Sequence, residues 1–116
     1  MKKIIVPVDF SKAAGNAATF AGELAAFYGA ELWLYHTFEI PVGVGEVAYP
    51  LFDVTELQKA AEHELELLRD STRAQLKTTI SIQTRAEMTS LQEGLSSLCD
   101  MIEPDLVVMG LSGKDA

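Results

Sequence analysis

One cysteine, Cys99, stands in the whole chain, too few for an internal disulfide or a cysteine-built metal site. Basic residues are scarce as well. Nine Lys and Arg face 17 Asp and Glu, a formal charge of −8, whereas a protein that neutralises many backbone phosphates needs a Lys/Arg surface. Nucleic acid and anionic membrane faces are therefore poor partners. A small anionic ligand stays compatible, because backbone N–H groups hold phosphate without a basic side chain. Long apolar runs are missing too: no stretch approaches the roughly 20 residues that cross a bilayer. After Lys2-Lys3 the uncharged run Ile4–Val8 is shorter than the roughly 7–15 residues of a signal-peptide core. These absences lead us to expect a soluble protein of a reducing compartment, most simply cytoplasmic.

With 4 Pro, 8 Gly, 48% hydrophobic and 22% charged residues, the composition is globular. Residues 1–116 make one domain at most, without internal repeat. Three apolar runs carry strand-type residues: Lys3–Val8, Glu31–Thr37 and Asp105–Met109. The first and last are apolar on both sides of the pleat, as in a parallel sheet covered on two faces. A weaker run, Thr79–Ala86, alternates and suits an edge.

Helical patterns lie between them. Ala14, Ala17, Ala18, Ala21, Leu24, Ala25 and Tyr28 recur at helical spacing, with Ser11 as N-cap and Gly29 as the stop. A second stripe runs through Val54, Leu57, Ala61, Leu65, Leu68 and Leu76, opened by an Asp53/Glu56 capping box. A third runs through Leu91, Leu95, Leu98 and Ile102, opened by a Ser90/Glu93 box and stopped by Pro104. Pro41–Pro50 is a Gly/Pro-punctuated loop, long enough for a flap or an insertion. The order β-α-β-loop-α-β-α-β predicts a doubly wound α/β parallel sheet with right-handed crossovers. Ligands of such sheets sit beyond the carboxyl ends of the strands. That places Pro7–Ser11, His36–Phe38, Arg85–Thr89 and Met109–Gly113 at the functional end.

Gly110-x-x-Gly113 is the sharpest feature there, and reads either as a phosphate loop or as an ordinary turn leaving a strand. It is not a Walker loop, which needs four residues between its glycines and Lys-Ser/Thr after the second. Asp9 could accept from an adenine amino group or ribose hydroxyls, or simply cap the following helix. Asp9, Ser11 and His36 make no hydrolytic triad, since no G-x-S-x-G elbow is present. His36 reads as a hydrogen-bonded strand-end residue and His63 as a solvated helix residue. Cys99 reads as a near-core side chain, and Glu62, Glu64 and Glu66 as a solvated face. A phosphoacceptor receiver would need paired acids after the first strand, where only Asp9 stands.

In combination, "KKIIVPVDFS", the alanine-rich first helix, "GAELWLYHTFE" and "PDLVVMGLSG" resemble the universal stress protein family over essentially the whole chain. The resemblance implies a Rossmann-like fold of the adenine-nucleotide α-hydrolase type, with strand order 3-2-1-4-5. It also implies ATP with Mg²⁺ as cofactor in binding members, through a G-x2-G-x9-G-(S/T) phosphate motif. Pro7 and Val8 would line the base, Asp9 would meet the ribose or adenine, and the backbone at Thr37-Phe38 would meet the adenine edge. Met109 and Gly110 would pack on the nucleotide, and Ser112 and Gly113 would approach the phosphates. After Gly113 only Lys114, Asp115 and Ala116 remain, so we expect order 3-2-1-4, a missing fifth strand and an incomplete phosphate cradle. Asp105–Met109 then becomes an exposed edge, a template for pairing. Either the chain is a piece of a longer protein, such as one with two such domains in tandem, or a second copy covers that edge. The expected function is a stress-response regulatory module, not an enzyme, with no catalytic residues and no metal site. Hydrolysis would need a positioned water and charge stabilisation that these residues do not supply. The alternative is a nucleotide-free member acting through protein–protein association, as a homodimer or scaffold.

Overall fold

The computed structural model describes residues 1–40 and 54–110. The Pro41–Pro50 loop, the Asp53 half of the Asp53/Glu56 capping box, Ser112 and Gly113 lie outside the described residues. Seven elements follow one another: β1 (Lys3–Pro7), α1 (Lys12–Tyr28), β2 (Glu31–Phe38), α2 (Val54–Ala74), β3 (Ile82–Met88), α3 (Leu91–Ile102) and β4 (Leu106–Val107). The strands form one parallel sheet in the order β3-β2-β1-β4, as the alternation of strand and helix patterns predicts.

The pleat sorts the core into two layers, because successive side chains on a strand point to opposite faces. Ile4, Val6, Leu32, Leu34, Ile82 and Ala86 face one side and pack on the alanines of α1 and on Ala61 and Leu65 of α2. Ile5 and Tyr35 face the other side, where Leu98 and Ile102 of α3 cover them. Small residues let α1 and α2 approach: a methyl group on Gly22 would stand 3.2 Å from Leu76 and 3.3 Å from Thr72. Thr72, buried though polar, takes the place on this helix face that the leucine stripe would assign to an apolar residue. Val54, included in that stripe, is exposed.

Helix ends fall where local chemistry puts them. Ser11 Oγ accepts from Ala14 N at 3.1 Å, and Gly29 closes α1 at φ 67°. Ser90 Oγ accepts from Glu93 N at 3.2 Å and donates to the Glu93 carboxylate at 3.1 Å.

Against the sequence reading, β1 stops one residue earlier, at Pro7, β2 runs one residue further, to Phe38, and the other two strands differ more. β3 begins at Ile82 and runs to Met88, later than Thr79–Ala86, because its partner sets the register: Leu32 pairs with Ile82 and Phe38 with Met88. β4 shrinks from Asp105–Met109 to Leu106–Val107, paired only with Ile4 and Ile5 among the described residues. Its entry is pinned by Asp105, whose carboxylate accepts from the backbone N–H groups of Lys2 (2.6 Å) and Lys3 (3.0 Å). Those bonds hold the Asp105 carboxyl below its usual pKa.

Candidate functional site

The carboxyl ends of β1 and β2, the exit of β4 and the first turn of α3 enclose a cleft of about 260 Å³. Pro7, Val8 and Asp9 form one wall, His36 and Thr37 the second, and Leu91, Met109 and Gly110 close it. Six sequence-predicted site residues are thereby brought together: Pro7, Val8, Asp9, Thr37, Met109 and Gly110. Among the predicted residues that are described, Phe38 alone parts from this group. Thr37 points to the α3 side and lines the cleft. Phe38, one residue on, points to the α2 side and lines a different cleft beside Phe10 and His36. Period-two alternation separates two neighbours that the sequence reading had grouped, although the backbone at Phe38 stays at the end of the same strand.

Each wall has a local cause. Val8 continues β1 for one more bond, its N–H donating to Tyr35 O at 2.8 Å. Its carbonyl accepts from His36 Nδ1 at 2.7 Å, which places the imidazole proton on Nδ1, since a carbonyl only accepts. His36 thus ties β2 to the exit of β1. Asp9 turns the chain into α1, with Oδ1 accepting from Ser11 N at 3.0 Å. Between them Phe10 adopts φ 63°, a conformation uncommon for a bulky side chain.

Gly110 has a steric reason to be glycine. A Cβ there would run into the carbonyl of Ala13, in the first turn of α1. Close backbone approach is what this glycine provides; a left-handed φ, one reason for expecting glycine in such a loop, is not found there. Leu91 is a lining residue that the sequence reading did not place at this end, and His36, placed there as a hydrogen-bonded strand-end residue, lines the cleft as well. Leu91 carries no local signal, being merely the first residue after the Ser90 cap.

Chemically, the cleft is a mostly apolar slot with one carboxylate at its rim. None of its described lining residues is Lys or Arg, so it suits the planar, uncharged part of a ligand better than the anionic part.

Beneath the cleft, Tyr35 is fully buried and its hydroxyl donates to the Glu87 carboxylate. Arg85 joins that carboxylate at 2.9 Å. Burial, then the bond to Glu87, raise the Tyr35 pKa. The phenol's hydrogen bond, aided by Arg85, lowers that of Glu87. Gly94 of α3 leaves room for the Tyr35 hydroxyl; a methyl group there would collide with it and stand 2.6 Å from Thr89.

The sequence model of the universal stress protein family matches residues 1–116. The chain belongs to the universal stress protein family. A comparison with curated protein sequences finds no match. Among solved structures, universal stress protein UspA from Lactobacillus plantarum superposes with a TM-score of 0.74 at 24% identity, covering 99% of this chain and 80% of that one. A universal stress protein family member from Burkholderia pseudomallei gives 0.70 at 26% identity, covering 95% and 81%. A universal stress protein solved in complex with cAMP gives 0.71 at 20% identity, covering 92% and 74%. The four-stranded parallel order and its flanking helices are those of this universal stress protein fold.

Proposed function

We propose that this universal stress protein domain is a regulatory module that binds an adenine nucleotide, with the base in the cleft between Pro7 and Gly110. The observation that carries this reading is the convergence of Pro7, Val8, Thr37, Leu91 and Met109 into one apolar slot with Asp9 at its rim. A purine has two flat faces to bury and hydrogen-bond donors for a carboxylate. The cAMP-bound relative supports a cyclic or open adenine nucleotide as the ligand class. We further propose binding, ATP with Mg²⁺ included, without turnover. Among the described lining residues no hydroxyl or thiol is hydrogen-bonded to a base, and catalysis of phosphoryl transfer rests on charge stabilisation that this lining lacks.

The test is calorimetric titration of the chain with ATP (with and without Mg²⁺), AMP and cAMP, alongside an assay of phosphate release. Saturable binding, weakened at least about fivefold by Asp9→Asn, is the expected result. That variant keeps an acceptor for Ser11 N and removes only the charge. No heat with any adenine nucleotide at millimolar concentration overturns the reading, and sustained phosphate release overturns its second half.

A second observation favours association as the mode of output. On α1, Phe20, Phe27 and Tyr28 are exposed (55%, 80% and 50%) along the flank turned away from α2. The outer edge of β4 is unpaired among the described residues, and sheet edges of this kind template pairing. We propose a homodimer or a tandem partner domain on this side. Sedimentation velocity is expected to show concentration-dependent dimers that Phe20→Glu with Phe27→Glu abolishes. A monomer at every concentration overturns the homodimer.

A further inference from the structure

A second cleft, of about 300 Å³, opens on the other side of the β2 terminus, at the lower end of the sizes that ligand sites take. Its floor is a row of three rings. Phe10 stands 4.4 Å from His36 between centroids, and His36 lies nearly parallel to Phe38 at 6.3 Å. The opposite wall is one face of α2, where Leu57, Ala60, Ala61 and Glu64 follow the i, i+3, i+4, i+7 spacing of a single helix face. Glu39 and Glu64, both exposed, stand at the rim. No Lys or Arg is among the described lining residues.

This row of rings is held in place. Phe10 sits at φ 63°, a backbone cost that a bulky residue bears only where its surroundings over-determine it. Here the Asp9–Ser11 bond fixes the turn and the His36 ring, itself tethered to Val8 O, backs the phenyl face. Phe10 nevertheless keeps 37% of its surface open, so the ring is positioned without being buried.

We propose that this cleft is a second ligand site, for a small aromatic cation such as an arylalkyl ammonium. Each part of the cleft answers to one part of such a ligand. The alanine and leucine face of α2 leaves space for a flat apolar body, and burying it releases water from both surfaces. The faces of Phe10 and Phe38 attract a cation through the ring quadrupole. The two rim carboxylates add Coulomb attraction, which the same groups turn into repulsion for a nucleotide or any other anion. The inference stands independently of the nucleotide reading, because among the described lining residues the two clefts share only His36.

The test uses the full chain without nucleotide and three indoles of similar shape: tryptamine as the cation, 3-propylindole as its uncharged isostere and indole-3-propionate as the anion. Binding is read from NMR shifts of the Ala60 and Ala61 methyls and the Phe10 and Phe38 rings. The cation is expected to bind at least about tenfold tighter than the anion, with the neutral probe between them. Glu39→Gln with Glu64→Gln should cut that preference to below about threefold while leaving the neutral probe unchanged. Asp100→Asn, on α3 across the sheet, should not alter it. Phe38→Leu, which keeps the apolar volume without the ring face, should weaken the cation more than the neutral probe.

Equal binding of all three probes, or a preference that Asp100→Asn removes as readily, overturns the proposal. Signals silent to every probe but sensitive to protein concentration would assign the cleft to a second copy of the chain, and overturn it equally.

Discussion

At Tyr35 and Glu87 one hydrogen bond works on two pKa values in opposite directions. It needs the phenol neutral and the carboxylate charged, so it stabilises the fold only where both conditions hold. Glu87 is held below its ordinary value, so its contribution is present above about pH 4.3, the unfolded carboxyl value, and is lost as pH falls through the folded one. Tyr35 is raised, so its contribution is present up to about pH 10 and is lost on going higher. Tyr35→Phe is expected to cost about 1–2 kcal/mol at neutral pH and to flatten the acid limb of stability against pH in urea titrations. An acid limb identical to that of the unaltered chain would show that another carboxylate carries it. Gly110 makes a second residue-scale prediction. Gly110→Ala places a methyl group against the Ala13 carbonyl and should cost about 1–3 kcal/mol as overpacking, read as a lower denaturation midpoint. Adenine-nucleotide affinity should fall with it, since Met109 and Gly110 close the slot.

Among the elements, α1 separates what a helix owes to its ends from what it owes to its neighbours. Ser11→Ala removes the acceptor for Ala14 N and should cost about 1 kcal/mol. Gly15→Ala should do the reverse. Nothing lies within 4 Å of a methyl group there, so the change gains up to about 1 kcal/mol of helix propensity at no packing cost. Circular dichroism melts of the two variants should move to opposite sides of the unaltered chain. Both caps were legible because a cap is chemistry among residues three or four apart. The strand limits were not. Thr79–Ala86 alternates convincingly on its own, yet the ladder begins at Ile82 and extends to Met88 because β2 supplies partners there. The same dependence on a neighbour shortens β4 to two residues.

For the whole molecule, the surplus of acid sets a solution property. The net charge is −8, and the ion pairs among the described residues are Arg69–Asp70 at 3.4 Å and Arg85–Glu87 at 2.9 Å. Repulsion among the surplus carboxylates opposes compaction. The thermal midpoint should therefore rise between about 10 and 150 mM NaCl, as the screening length falls from about 30 to about 8 Å. A midpoint indifferent to salt would mean that the carboxylates are too far apart to repel. The same surplus shapes both clefts, since among their described lining the charged groups are carboxylates.

Sequence alone determined the alternation of strands and helices, the helix caps of α1 and α3, and the end of the sheet where the two clefts lie. Periodicity, capping and turn chemistry are local, and the order of a parallel sheet follows from a few rules of connection. Its motifs also pointed to the universal stress protein family. Only the tertiary structure decided which strand-end residues share a cavity. Thr37 and Phe38 are adjacent in the chain, but the pleat turns one toward α3 and the other toward α2, into separate clefts. Only the structure, too, showed why position 110 must lack a side chain, because the carbonyl that forbids one belongs to Ala13, at the far end of the sequence.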